Sequence, residues 1–394
     1  MSDGRLRIAF VYDALYPYVL GGAELRYHEL ARRLSSRHDV HLVSWTWWDG
    51  DPDASLDGMT LHGVGRPPAL YGPDGKRTVR EAVSFAARVL PTLLRNRWDV
   101  IDCSATPYLP LFSTWLASRL TRTRLIVTWH EFWGDHWLEY LPHRAAVARL
   151  AMMLESGSTR LGDELVAVSD FTARALAKEP GRTRVVPNGI TLAAINAASV
   201  PPGAAKVVYL GRLIDEKRVD LLMEAAARLR QQLPDLRYSI IGAGPELSRL
   251  TALAERLSVS DRVTFHGQLD RSETYGRLRA ARLLVLPSVR EGFGMAVAEA
   301  QAAGTVPIVV RAPSNAATDL VRDGVDGLVV EPTAAAVADA IAGALVKPDR
   351  LASMARAARQ VGMARDWDRL AEEMETIYGR ARTQSAALAT LEGA

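Results

Sequence analysis

Short apolar runs alternate along the chain with longer segments whose apolar residues recur every three or four positions. The runs Arg7–Val11, Val40–Ser44, Val100–Asp102, Leu125–Thr128, Glu164–Val168 and Val185–Val186 predict a first series of strands. A second series follows at Lys206–Leu210, Tyr238–Ile241, Val263–His266, Leu283–Pro287, Val306–Val309 and Gly327–Val330. Segments such as Ala23–Ser35 and Val219–Leu233 carry the helical period between them. This alternation predicts an α/β chain with parallel sheets covered by helices on both faces. Near-continuous apolar strands such as Leu283–Leu286 suit burial from both sides. Pro187–Asn188–Gly189 is a turn signal, and Ala193–Ala204 is small, aperiodic and contains Pro and Gly. The pattern therefore predicts two Rossmann-like domains, 1–187 and 188–371, with a linker to about 205 and a cleft between them. A last helical stretch, Trp367–Ala387, lies beyond the final strand and is expected to cross back, so that about 372–394 join the first domain.

Composition narrows the class. With 394 residues, 48% hydrophobic and 24% charged, the chain is neither disordered nor collagen-like and has material for two or three cores. Forty-eight basic against 45 acidic residues leave a net charge of +3, and no block of like charge marks a nucleic-acid arm. The single cysteine, Cys103, forbids an internal disulfide framework and a Cys-based zinc site, which favours a reducing compartment. The start reads as lacking a secretory leader, and no run of about 18 uncharged apolar residues suits a spanning helix. A cytoplasmic location follows, with peripheral contact on the cytoplasmic face of a membrane as the variant to test. Basic residues are nearly all Arg, so the five lysines, Lys76, Lys178, Lys206, Lys217 and Lys347, each carry extra information. Eight of the nine Trp residues precede position 140, so the two halves are expected to do different work.

In open α/β sheets ligands bind beyond the carboxyl ends of strands, and four loops there stand out. Gly21–Gly22–Ala23–Glu24 follows the first strand and opens a helix; it reads equally as an anion-binding helix start and as a capped turn. Gly211–Arg212 with Lys217 follows strand Lys206–Leu210, and a guanidinium plus an ammonium suits a diphosphate better than it suits a solvated helix start. Ser288–Met295 carries Glu291, and Glu299 lies eight residues on, roughly 12 Å away if the span is mostly helical. Those carboxylates could address a sugar and a ribose, with the amides of Gly292, Phe293 and Gly294 between them. Finally, Trp129–His130–Glu131 ends strand Leu125–Thr128. Trp129, Trp133 and Trp137 recur every fourth residue, which predicts one aromatic helical face, either core or a stacking platform for an acceptor. His130 and His136 are poorly spaced for metal. Ile241–Gly242–Ala243–Gly244–Pro245–Glu246 begins like a dinucleotide fingerprint but has Leu247 where a third small residue belongs, and the Asp49–Asp51–Asp53 run reads as a turn-rich loop.

Together these motifs resemble the GT-B glycosyltransferases, and within them the retaining family 4 group. The likeness runs through Gly21–Gly22, His130, Val168–Ser169, Pro187–Asn188–Gly189–Ile190, Gly211–Arg212 with Lys217, and Gly242–Ala243–Gly244–Pro245. It continues through Phe265–His266–Gly267, Glu291 with Glu299, and Asp323–Gly324 with Gly327. The resemblance implies that Arg212 and Lys217 hold the donor diphosphate, joined by the amides of Gly21 and Gly22. It implies that Glu291 contacts the donor sugar with backbone help from Gly292, Phe293 and Gly294, and that Glu299 holds the ribose. Gly242 and Gly244 would line the nucleotide pocket, Gly267 and Leu269 would flank the base, and His130 would orient the sugar. The implied cofactor set is empty: a nucleotide-diphosphate sugar is the donor substrate, a hydroxyl compound the acceptor, and no metal is expected. Trp129, Trp133 and Trp137 are the acceptor-side candidates. The alternatives are an inactive relative that only binds nucleotide sugars and, ranked last, an NAD(P)-dependent oxidoreductase.

Overall fold

The computed structural model describes residues 4–70, 77–176 and 181–392, with side chains as far as Arg380. The chain divides into two compact units. One contains the described residues up to Asn188 together with those from Trp367 onward; the other is Gly189–Asp366.

The first unit is built on eight strands: β1 (Arg7–Val11), β2 (Asp39–Ser44), β3 (Asp53–Leu56), β4 (Met59–Gly63), β5 (Val100–Ser104), β6 (Arg124–Trp129), β7 (Glu164–Ala167) and β8 (Thr183–Val185). They lie in the order β3-β4-β2-β1-β5-β6-β7-β8, and all neighbours are parallel except β3 and β4. Every residue of β5 is buried, as expected of a strand covered on both faces. Helix Val79–Arg95 presents Phe85, Val89 and Leu93 at four-residue spacing to a core shared with Trp45, Trp129 and Leu111. Helix Gly22–Leu34 meets the carboxy-terminal helix, Trp367–Glu392, whose buried residues Trp367, Leu370, Ala371, Met374, Ile377 and Tyr378 form one apolar stripe. The return to this unit starts at Trp367, five residues ahead of the expected 372, because that indole is itself fully buried.

Two strands of this unit were not anticipated. β3 and β4 form a hairpin whose turn residues, Asp57 and Gly58, have φ of 48° and 80°, the left-handed pair that a two-residue hairpin requires. The flanking sequence is too short and polar for apolar alternation to reveal it, although Asp-Gly is itself a hairpin signal. The Asp49–Asp51–Asp53 run is part of this edge: Asp51 accepts from the Asp53 amide at 3.0 Å, Asp49 pairs with Arg66 and Asp53 with His62.

The second unit continues with β9 (Val207–Leu210), β10 (Tyr238–Ile241), β11 (Val263–Gly267), β12 (Leu283–Leu286), β13 (Arg290–Glu291), β14 (Val306–Val310), β15 (Ser314–Asn315) and β16 (Leu328–Val330). Six of these make a parallel sheet in the order β11-β10-β9-β12-β14-β16, while β13 and β15 pair separately. Counted from β9 this is the doubly wound order 3-2-1-4-5-6, and its direction reverses between β9 and β12. The linker expected to run to about 205 is instead folded into this unit. Leu192–Ala197 is helical and packs on helices Arg271–Ala280 and Met295–Ala303, Ile195 is buried, and Arg279 donates to the Asn196 carbonyl at 2.9 Å. Small residues there signal close packing: a Cβ at Gly276 would lie 2.1 Å from the Ser199 carbonyl oxygen. Among the described residues no helix is long and apolar enough to cross a membrane.

Candidate active site

The chemistry of the second unit gathers where its sheet reverses direction. The loop after β9 carries Arg212 and Lys217, and the loop after β12 carries Glu291. The Val289 amide donates to the Glu216 carbonyl at 3.0 Å and so fastens the two loops together. Across this seam Lys217 Nζ lies 2.6 Å from Glu291 Oε1 and 3.4 Å from the Arg290 carbonyl oxygen. Both side chains of the pair are only 13% exposed. Arg212 is exposed and makes no ion pair among the described residues. Tyr209, buried in β9, donates its phenol to the Arg212 carbonyl at 2.8 Å and lies within the electrostatic reach of both Arg212 and Glu291.

Gly242 and Gly244 serve this seam by being small. A Cβ on Gly242 would lie 1.9 Å from the Gly211 carbonyl oxygen, and one on Gly244 would lie 2.2 Å from that of Leu213. Backbone bonds Gly211 N–H to Ile241 O at 3.0 Å and Leu213 N–H to Ala243 O at 2.9 Å hold the loops at that distance. The fingerprint-like fragment is thus a backbone-to-backbone contact. At the next strand end, Gly267 has φ of 67° with open space beside it, and Leu269 is half-buried.

Glu291 and Glu299 do not share one helix. Glu291 belongs to β13, Gly292, Phe293 and Gly294 turn the chain with Phe293 buried, and only Met295–Ala303 is helical. The estimate of 12 Å for a helical span therefore does not apply. Gly294 adopts φ of 98° directly before that helix, where a Cβ would lie 2.7 Å from Ala317 Cβ. Glu299 accepts from Tyr275 Oη at 3.2 Å, and burial raises its pKa against the opposing effects of Arg271 and that phenol. No motif had singled out Tyr275 or Arg271, because the contact joins two helices 24 residues apart in sequence.

In the first unit the expected residues meet different surroundings. Helix Gly22–Leu34 starts directly after Gly21, as the anion reading requires, yet the Glu24 carboxylate covers that start: a Cβ on Gly21 would be 2.4 Å from Glu24 Oε2. The lack of a side chain at Gly21 thus makes room for the Glu24 carboxyl group. His130 follows β6 between the rings of Tyr12 and Tyr27, at centroid distances of 6.3 and 5.8 Å. Burial, assisted by the Arg26 charge, pushes its pKa down to about 3, so it is a neutral imidazole, and its shielded Nε2 has no hydrogen-bond partner.

The expected aromatic helical face is corrected. Trp129 extends β6 opposite Ala167 and is fully buried, Trp133 lies in a loop, and Trp137 belongs to the short helix His136–Tyr140. Gly134 at φ of 51° breaks the run. Trp133 and Trp137 do meet, with ring centroids 4.7 Å apart and planes tilted by 37°, beside Tyr140. Buried Glu155 shapes this loop by accepting from the amides of Trp133 and Gly134 at 2.7 and 2.8 Å and from the Tyr108 phenol. Among the described residues no group of three His, Cys, Asp or Glu side chains could hold a metal ion.

The comparisons bear directly on this arrangement. The family profile described as Glycosyltransferase Family 4 matches residues 20–194, and that described as Glycosyl transferases group 1 matches residues 194–361. A D-inositol 3-phosphate glycosyltransferase of Actinosynnema mirum is 31% identical over 68% of this chain and 69% of that protein. The chain belongs to glycosyltransferase family 4. Another member, D-inositol 3-phosphate glycosyltransferase 2 of Catenulispora acidiphila, is 34% identical over 55% of this chain, and the match spans 56% of that protein's length. Sucrose-phosphate synthase of Thermosynechococcus elongatus superposes with a TM-score of 0.80 over 97% of this chain and 100% of its own, at 22% identity. HepE of Anabaena, solved with UDP-glucose, gives 0.73 over 95% and 99%, at 20% identity. At such identities the neighbours establish the fold, which is GT-B.

Proposed function

We propose that this family 4 member transfers a hexose-type sugar, with retention, from a UDP- or GDP-linked donor to a hydroxyl acceptor. The observation that carries the reading is the Lys217–Glu291 pair at the sheet's reversal point, with exposed Arg212 on the same loop. Arg212 and Lys217 take the diphosphate and stabilise the charge that grows on it as the glycosidic bond breaks, which is the role a divalent ion would otherwise fill. Glu291 accepts from sugar hydroxyls, and the amides of Gly292, Phe293 and Gly294 border the same place. Glu299, held by Tyr275, accepts from the ribose hydroxyls, and the turn at Gly267–Leu269 flanks the base. For retention without a carboxylate nucleophile, the acceptor attacks from the leaving-group face and the departing phosphate takes its proton. HepE was solved with UDP-glucose, which supports a nucleotide-sugar donor, and the curated relatives named for D-inositol 3-phosphate support a polyol acceptor.

One observation favours a lipid-linked acceptor. On helix Ala145–Ser158, Val147, Leu150 and Met153 are 44%, 56% and 71% exposed, Arg144 and Arg149 flank them, and the helix's one acid, Glu155, is buried. A cationic, apolar face of this kind suits an anionic bilayer surface.

Thermal stabilisation measured across UDP-, GDP-, ADP- and TDP-linked sugars tests the donor class, with a UDP- or GDP-hexose expected to raise the midpoint and NAD(P) to leave it unchanged. A single-turnover assay with the stabilising donor separates the enzyme from an inactive relative. Binding without transfer or donor hydrolysis would exclude the catalytic reading.

A further inference from the structure

Glu291 does more at this seam than wait for a sugar. Its carboxylate already neutralises Lys217 at 2.6 Å, the two are nearly closed off from water, and Lys217 has a second hold on the Arg290 carbonyl. An incoming diphosphate must therefore compete with a built-in anion for this ammonium, while Arg212, exposed and unpaired, is open to it at once. When Lys217 turns to phosphate, Glu291 is left a poorly solvated carboxylate in need of donors. The hydroxyls of a donor sugar supply them. A nucleoside diphosphate, the product left after transfer, brings no sugar hydroxyl to Glu291, since its ribose is taken up by Glu299.

We infer that Glu291 is a specificity-determining residue that discriminates against the product: it occupies Lys217 as an internal anion, so that a ligand bearing both a diphosphate and a hydroxylated sugar is bound in preference to the diphosphate alone. This rests on the donor-site reading above. Selectivity arises from the penalty placed on the wrong ligand, the stranded carboxylate, as much as from contacts to the right one. The exchange breaks one charge-assisted contact and forms another, so it costs the donor little and the product more.

The inference predicts a reversal of sign. Neutralising Glu291 without changing its shape, in Glu291→Gln, frees Lys217 and should lower the Kd for inorganic pyrophosphate, UDP and GDP by about 10-fold, the effect of losing one partly shielded competing charge. Turnover should fall in the same variant, and the preference for UDP-glucose over UDP, or for GDP-mannose over GDP, should shrink by a similar factor. Calorimetric titration of the full chain with these compounds reads the two binding effects, and the single-turnover transfer assay reads the third. Lys217→Ala should abolish the gain when combined with Glu291→Gln, and circular dichroism confirms that each variant is folded. Unchanged or weaker pyrophosphate binding in folded Glu291→Gln would overturn the inference while leaving the donor site intact, provided Lys217→Ala weakens binding. Failure of pyrophosphate, UDP and GDP to bind the wild-type chain at all would instead remove the diphosphate site, and the inference with it.

Discussion

The carboxyl ends of the two central strands, β1 and β9, handle buried charge in different ways. Beyond β1, carboxylates are enclosed and tied to the fold. Asp13 pairs with Arg77 at 2.6 Å, Glu81 accepts from the Trp45 indole at 2.7 Å, and Glu24 lies across Gly21. One strand over, Asp102 in β5 accepts from Tyr378, Thr128 and Tyr27 at 2.6, 2.8 and 3.3 Å. Beyond β9 an ammonium–carboxylate pair shares its loop with Arg212, which is exposed and makes no ion pair among the described residues. Side chains whose bonding is complete hold a scaffold together. Side chains whose bonding an incoming ligand can replace are equipped to bind and release.

That contrast can be broken from either side. The largest effect is expected on the β9 side: Lys217→Ala and Glu291→Ala should each lower kcat/KM by about 100-fold or more, as loss of a preorganised charge in an active site does, while each variant remains folded. Steady-state kinetics beside thermal unfolding checks this, and near-native rates in either variant would dissolve the distinction. Gly242→Ala should come next. Its Cβ would push the Gly211 carbonyl and so move the Arg212 loop, raising the donor KM about 10-fold or more and destabilising the fold, since φ there is 136°.

On the β1 side, effects should appear in stability. Asp102→Asn replaces an acceptor that serves three hydroxyls, and should cost about 3 kcal/mol in denaturant unfolding. Glu81 should give the smallest effect and one that depends on pH. Burial and then the neighbouring Asp13 push its pKa up from 4.5 to about 7. The folded state therefore holds the proton more tightly than the unfolded chain. The associated stability is fully present below pH 4.5 and is lost as pH rises through 7. The Glu81→Gln variant should lack this dependence, a difference on the order of 2 kcal/mol between pH 4.5 and 8 in parallel denaturant titrations.

Much of the second unit's candidate site was legible in the chain itself. Strands β9, β10, β12 and β14 are short and apolar, and β9 and β10 run directly into Gly211 and Gly242, so their carboxyl ends, and hence Arg212, Lys217, Glu291 and Gly242, could be located by counting residues. The scarcity of lysine made Lys217 conspicuous. The aromatic loop of the first unit was harder to read. Four-residue spacing of Trp129, Trp133 and Trp137 fits a helix, but strand pairing of Trp129 with Ala167 and the left-handed Gly134 prevented one from forming. Glu155 and Tyr275 escaped notice for a related reason: each acts on a residue about 20 positions away, and no local pattern records such a contact.

Periodicity, turn residues and charge placement, all local properties, were enough to determine the alternation of strand and helix, the two series of strands and the loops that carry the charged groups. Folding decided which of those groups are already satisfied. Lys217 and Glu291 are 74 residues apart in sequence, and their 2.6 Å contact exists only because β9 and β12 lie side by side in the sheet. Whether a buried charge is scaffold or site depends on the partners that distant chain segments bring to it, since the cost of burial is set by the complete three-dimensional set of donors and acceptors around the group.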